Sequence, residues 1–188
     1  MNSGNSMIIT DLSIPDVKIL HPKLFQDERG YFFEAYHESL FCSLIGNTHF
    51  VQDNESKSQR GTLRGLHYQI IQPQAKLLRV LDGEIFDVAV DLRKSSPTFG
   101  RYVCIVLRSK DHNQLFIPSG FAHGFLVISE TAKILYKVSD YYCPAGERSI
   151  LWNDDTLNIS WPVEKGEKLI ISSKDQNGYT FKNAEYFD

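Results

Sequence analysis

The chain has 188 residues, a formal net charge of −3, 42% hydrophobic residues and 12% aromatic residues. That is enough apolar material for one domain with a substantial core, and it excludes a disordered chain. The charge balance excludes a globally basic nucleic-acid binder and leaves any binding of phosphate to local Arg and Lys. Cys42, Cys104 and Cys143 show no paired spacing, which argues against a disulfide framework or a zinc knot and fits a reducing cytoplasm. The opening "MNSGNSMIIT" has neither a basic n-region nor an apolar h-region, so no signal peptide is expected. No apolar run approaches membrane-spanning length.

Turn signals such as "DERG", "SQRG", "LDGE" and "SSPTFG" recur at short intervals along the chain. The first strong periodic stretch is "HESLFCSLIG". Leu40, Phe41, Leu44 and Ile45 share one helical face, and Gly46 supplies a C-terminal stop. Next, Lys76 opens the β-rich run "KLLRV". In "EIFDVAVDL", Phe86, Val88, Val90 and Leu92 alternate with Asp87, Ala89 and Asp91, which predicts a half-buried strand. "YVCIVL", "QLFIP", "GFLVIS" and "KILYKVS" predict further strands. The tail after Trp161 is more polar and predicts loops and short turns. Many short strands with one or two helices imply a mainly β protein, an antiparallel sandwich or small barrel of the jelly-roll kind. The open mouth of such a barrel can hold a small ligand.

Two histidines draw attention. His67 lies in "RGLHYQ" and His123 in "GFAHGF". His123 shares strand parity with Phe125 and Val127, so it points inward with them. A histidine inside a barrel needs a partner, as a ligand, an acid–base group or a satisfied core residue. The spacings around the two histidines resemble the paired motifs of the cupin superfamily. Metal-binding cupins place a second His where this chain has Gln69, and a Glu where it has Pro73 or Gln74. Two imidazoles without a carboxylate make a poor metal site, so no metal is expected. Tyr136 has parity with Ile134 and Val138, and is either a core residue or a proton donor in a cavity. Lys76 is either a solvated edge residue or a cation for a developing oxyanion. Asp175, in "SSKDQ", reads alone as a turn residue. Arg29, Glu34, Gln52, Asn54 and Arg64 lie in polar loops, either solvated or anchoring a phosphorylated ligand through paired contacts. Neither GxGxxG nor GxxxxGK[ST] is present.

The segments "FQDERGYFFEAY", "VQDNESKS", "TLRGLHYQ", "QAKLLRVLDGEIFDVAVDLRKSSPTFG", "LFIPSGFAHGF", "YKVSDYY", "ILWNDD" and "SSKD" together resemble the dTDP-4-dehydrorhamnose 3,5-epimerases of the cupin superfamily. The resemblance runs in order from about residue 8 to 175. It implies a cupin-type jelly roll that needs no cofactor and acts on a dTDP-4-keto-6-deoxyhexose in the cytoplasm. By the same resemblance His67 is the base, Asp175 orients it, Lys76 stabilises the enolate oxygen and Tyr136 returns a proton. His123 contacts the sugar, and Arg64 the pyrophosphate or sugar. Arg29, Glu34, Gln52, Asp53, Asn54, Glu147 and Lys174 line the substrate. The family is a homodimer with crossing N-terminal strands, so Arg29 and Glu34 are expected to serve the neighbouring subunit. The tail "QNGYTFKNAEYFD" lies outside the matching stretch, and its aromatics are candidates to pack on a partner or near the nucleotide. Epimerisation at C3 alone or C5 alone, a metal-dependent oxygenase and a non-catalytic nucleotide-sugar-binding module are the competing readings.

Overall fold

The computed structural model describes residues 7–164 and 166–188. Residues 1–6 of the opening segment therefore lie outside the described residues. Strands β1 (Ile8–Asp11), β2 (Lys18–His21), β3 (Phe25–Asp27) and β4 (Gly30–Phe32) precede helix α1 (Glu38–Ile45). Then come β5 (Gln52–Gln59), β6 (Thr62–Gln69), β7 (Lys76–Asp82), β8 (Glu84–Asp91), β9 (Tyr102–Arg108), β10 (Gln114–Ile117), β11 (Phe121–Val127) and β12 (Thr131–Val138). Last are β13 (Glu147–Ser149), β14 (Ile170–Ile171) and the short helix α2 (Ser173–Gln176).

The strands build two sheets, in the orders β1-β2-β10-β7-β12-β5 and β13-β6-β11-β8-β9. β14 pairs with β6 in parallel, while β3 and β4 form a separate hairpin. One apolar cluster joins the two sheets. Ile19, Leu78, Val80, Leu115, Ile117 and Ile134 meet Ile85, Ala89, Val103, Leu107, Phe121, Phe125 and Val127. Sheet-on-sheet packing of this kind is the expected jelly roll, held mainly by burial of alternating apolar residues.

Each sheet is also covered on part of its outer face. α1 lays Phe41 against Leu20, Leu77 and Phe116 of the first sheet. The helix begins where the His37 Nδ1 accepts the Leu40 N–H at 3.2 Å, and ends at Gly46 with φ of 125°. Of the four residues predicted for its apolar face, Leu44 is 42% exposed, because Phe41 takes the contact with the sheet.

β8 corrects the half-buried reading. Val88, Val90 and Leu92 are buried, and so are Asp87, Ala89 and Asp91. Its apolar row joins Leu66, Ile150, Leu157 and Phe181 in a second cluster outside the sheet, covered by the C-terminal segment. Its aspartate row points the other way, with Ala89 in the cluster between the sheets. Asp91 is held there by Arg93, Ser96 and Thr98. Burial opposes these bonds, which still bring its carboxyl down to about 2. The tail, expected to be loops and short turns, also contributes strand β14 beside β6 and the short helix α2. Of its aromatics, Phe181, Tyr186 and Phe187 pack on this chain's own second cluster, whereas Tyr179 is 57% exposed.

Candidate active site

The inward faces of the strands converge on a cavity of about 290 Å³ lined by Gln52, Asn54, His67, Gln74, Lys76, Tyr136, Tyr142 and Glu147, with Tyr68 and Gln69 behind. Strand register explains the convergence. Tyr136 on β12 stands opposite Asn54 on β5 and Leu78 on β7. His67 on β6 stands opposite His123 on β11 and Ser149 on β13. Directly opposed residues project to the same face of a sheet. The first sheet therefore supplies Lys76 and Tyr136, the second supplies His67 and His123, and the space between them is the site.

His67 is completed from outside the barrel. Its Nε2 lies 2.5 Å from the Asp175 Oδ1. Asp175 sits in α2, where the Ser172 hydroxyl caps the helix by accepting the Asp175 N–H at 3.1 Å. The Gly65 N–H donates to the other carboxylate oxygen at 3.3 Å. Burial works to raise the Asp175 carboxyl, but the bonds from His67, Gly65 and Ser172 hold it below the usual carboxylate range. An ionised acceptor at Nε2 keeps the proton on that nitrogen and leaves the lone pair on Nδ1. Gly65 is required for close approach as well. A Cβ there would lie 2.5 Å from the Gly124 Cα, and its φ of 129° disfavours any other residue.

The remaining polar groups form a second pair and a rim. The His123 Nε2 lies 2.8 Å from the Asp87 Oδ2, both groups largely enclosed. Burial lowers the His123 ring despite Asp87, with Lys76 and His67 adding to the fall. Burial also pushes Lys76 down to about 8, against the pull of Asp87 and Glu147. The Tyr136 hydroxyl is raised by burial and eased by the Arg64 charge. On the rim, Glu147 takes the Lys174 ammonium in an ion pair and the Tyr142 hydroxyl at 2.8 Å. Burial raises Glu147, yet these two partners bring it below its ordinary value. Gln52 donates to the Asn54 side chain at 2.9 Å and accepts the Tyr142 N–H at 3.3 Å. Arg64 bonds the Ser58 hydroxyl and lines another, wider recess with Lys57, Thr62 and Thr131, its charge still acting on Tyr136.

The structure thus brings together His67, Lys76, Tyr136, Asp175, His123, Gln52, Asn54, Glu147 and Lys174, with Arg64 at the border. It does not bring in three of the residues singled out from the sequence. Asp53 has the opposite strand parity from Gln52 and Asn54, and its carboxylate pairs with Lys137 at 2.9 Å. Arg29 lies on the exposed β3–β4 hairpin against Asp27. Glu34 borders a separate recess beside Met7, Pro22, Lys23 and Leu40. Gln69, which stands where a metal-binding cupin has its second His, donates to the Gln72 and Tyr141 carbonyls and accepts the Cys143 N–H. It ties the loops at the mouth. Among the described residues no three His, Cys, Asp or Glu are grouped to hold a metal. Sequence reasoning missed Gly65, Gln74, Tyr142 and Asp87. The signal available for Asp87 was its parity with small, inward Ala89.

Comparison with known proteins identifies the family. The family model described as dTDP-4-dehydrorhamnose 3,5-epimerase matches residues 11–183. The chain is 50% identical to the dTDP-4-dehydrorhamnose 3,5-epimerase of Pseudomonas aeruginosa over 182 residues, covering 96% of this chain and 99% of the relative. It is also 50% identical to the enzyme of the same name from Shigella flexneri over 184 residues, 96% of this chain and 99% of the relative. Among solved structures, a dTDP-6-deoxy-D-glucose-3,5-epimerase from Legionella pneumophila, in complex with dTDP-4-keto-L-rhamnose, superposes with a TM-score of 0.92 at 46% identity, covering 96% of this chain and 95% of that one. The chain therefore belongs to the dTDP-4-dehydrorhamnose 3,5-epimerase family.

Proposed function

We propose that the chain is an isomerase that epimerises C3 and C5 of dTDP-4-dehydro-6-deoxy-D-glucose, giving dTDP-4-dehydro-L-rhamnose for dTDP-L-rhamnose biosynthesis. The observation that carries this reading is the His67–Asp175 pair, 2.5 Å apart, opening into the same cavity as Lys76 and Tyr136. The C4 ketone acidifies the hydrogens on C3 and C5. His67 removes one through Nδ1, and Asp175 stabilises the imidazolium that results. The electrons move onto O4, where the Lys76 ammonium meets the charge as it develops. Tyr136, across the cavity on the other sheet, returns a proton to the opposite face at C5. His123 contacts the sugar, while Gln52, Asn54, Arg64, Glu147 and Lys174 hold the rest of the nucleotide sugar.

The working unit in this reading is a homodimer of single-domain subunits. The β3–β4 hairpin supports it: Tyr31 is 58% and Phe32 70% exposed, a poor arrangement for an isolated subunit. Reaching across the dimer, the hairpin and the segment that follows it would deliver Arg29 and Glu34 to the neighbour's site. A cytoplasmic setting fits the free Cys42, Cys104 and Cys143. Among the described residues no helix is long and apolar enough to cross a membrane.

The test is solvent exchange. Incubation with dTDP-4-dehydro-6-deoxy-D-glucose in heavy water should place deuterium at both C3 and C5. Exchange at one carbon alone would reduce the activity to a single epimerisation. Tight binding without exchange would leave a binding module.

A further inference from the structure

We infer that Asp87 is a positioning residue acting on two groups of the site at once: one carboxylate oxygen fixes the His123 ring, and the other is the counter-charge that keeps Lys76 a cation. The inference rests on the proposed role of Lys76 at the enolate oxygen.

Asp87 is fully enclosed, and its two oxygens are used differently. Oδ2 lies 2.8 Å from the His123 Nε2. Oδ1 is buried with no hydrogen-bond partner. A carboxylate oxygen stripped of water is costly unless a positive charge offsets it. Lys76, at the start of β7, has the parity of Tyr136 and faces the space between the sheets. Asp87 projects into the same space from β8 of the facing sheet, with the parity of Ala89. The two are not in direct contact; burial lowers Lys76, and the Asp87 charge raises it through that space. The two charges act on each other across the interior between the sheets. Low polarisability there makes such an interaction far stronger than in water.

The other groups around Lys76 are already engaged or carry no negative charge. His67 on β6 is bound to Asp175, and His123 on β11 is bound to Asp87. Tyr136 on β12 is a phenol whose ionisation burial disfavours. Glu147 on β13 has its two oxygens occupied by Lys174 and Tyr142. That leaves Asp87 as the interior carboxylate with an oxygen to spare. Without it, burial acting on Lys76 would favour the neutral amine, which cannot stabilise an enolate. The same residue fixes which nitrogen of His123 carries the proton, so His123 presents Nδ1 as an acceptor.

The experiment is Asp87→Asn, which removes the charge and keeps an oxygen that can accept from His123. The kcat for epimerisation should fall about tenfold or more while KM stays within about threefold, because the loss is felt as charge develops. The basic limb of the kcat profile should move to lower pH by about one unit or more, the usual effect of losing an opposite charge nearby. A variant with an unmoved limb and undiminished kcat overturns the proposal. A second readout needs no turnover. In Asp87→Asn, and in Asp87→Ser as a second variant, the Lys76 ammonium, followed by 15N NMR, should lose its proton at lower pH than in the wild type. An unchanged titration also overturns it. Failure of the underlying activity is separate, since it would show as absent heavy-water exchange in the unaltered enzyme.

Discussion

The site holds two histidine–carboxylate pairs that differ in how they are built. His123–Asp87 comes from adjacent strands of one sheet, with side chains 13% and 0% exposed. His67–Asp175 joins a strand to a short helix 108 residues later, and its imidazole is 32% exposed to the cavity. The first pair is fixed by the sheet itself and kept from solvent. The second is assembled by the tail, which must fold back over β6 before Asp175 reaches the ring. A buried pair suits a fixed contact with little proton traffic. A pair open to the cavity, with an ionised carboxylate behind it, suits repeated proton transfer.

Removing the imidazole of the open pair is the severest way to test this contrast. His67→Ala should lower turnover about a thousandfold, the range expected for losing a general base. Heavy-water exchange at C3 and C5 should vanish with it, while circular dichroism stays native. Substantial exchange in the variant would transfer the base role elsewhere, with His123 as the first alternative. Asp175→Asn should come next, at about a hundredfold in kcat, because the amide no longer stabilises the imidazolium. It would also test the assembly by the tail: the Ser172 cap does not need the carboxylate, so α2 should persist. His123→Gln should be milder, about tenfold in kcat/KM, consistent with one lost contact to substrate. A collapse as deep as that of His67→Ala would erase the distinction between the pairs.

Legibility in the sequence followed the same divide. Residues on regular strands were readable by parity: His123 with Phe125 and Val127, Tyr136 with Ile134 and Val138. The metal-poor pattern around Gln69 was also readable, though its structural task, tying residues 72, 141 and 143, was not. Parity says which residues share a face. It does not say what covers that face. β8 was misread for this reason, since Phe181 and Leu157 cover its apolar row and turn its aspartates inward. Asp175 had no local signal beyond a capped "SSKD"; its meaning depends on a fold-back of more than one hundred residues, and entered through family resemblance alone. Asp53 shows the reverse failure: it entered beside Gln52 and Asn54 through family resemblance, although strand parity puts its side chain on the other face, against Lys137.

The two pairs should also leave separate marks on stability against pH. His123 ordinarily titrates near 6.5, and burial lowers it in the folded chain. Below 6.5 the unfolded chain therefore takes up this proton more readily than the folded one, and stability falls as the pH drops from there. Asp175 is held below its ordinary 3.8. Its contribution is fully present above 3.8 and is lost as pH falls through the lower folded value. Thermal unfolding measured from pH 7.5 to 3 should separate them. His123→Gln should flatten the loss that begins near 6.5 and leave the acid end unchanged. Asp175→Asn should leave the first loss in place and flatten the one below 3.8. Equal flattening of both windows by either variant would mean that the pairs titrate as one unit, and the division between a closed pair and an open one would fail.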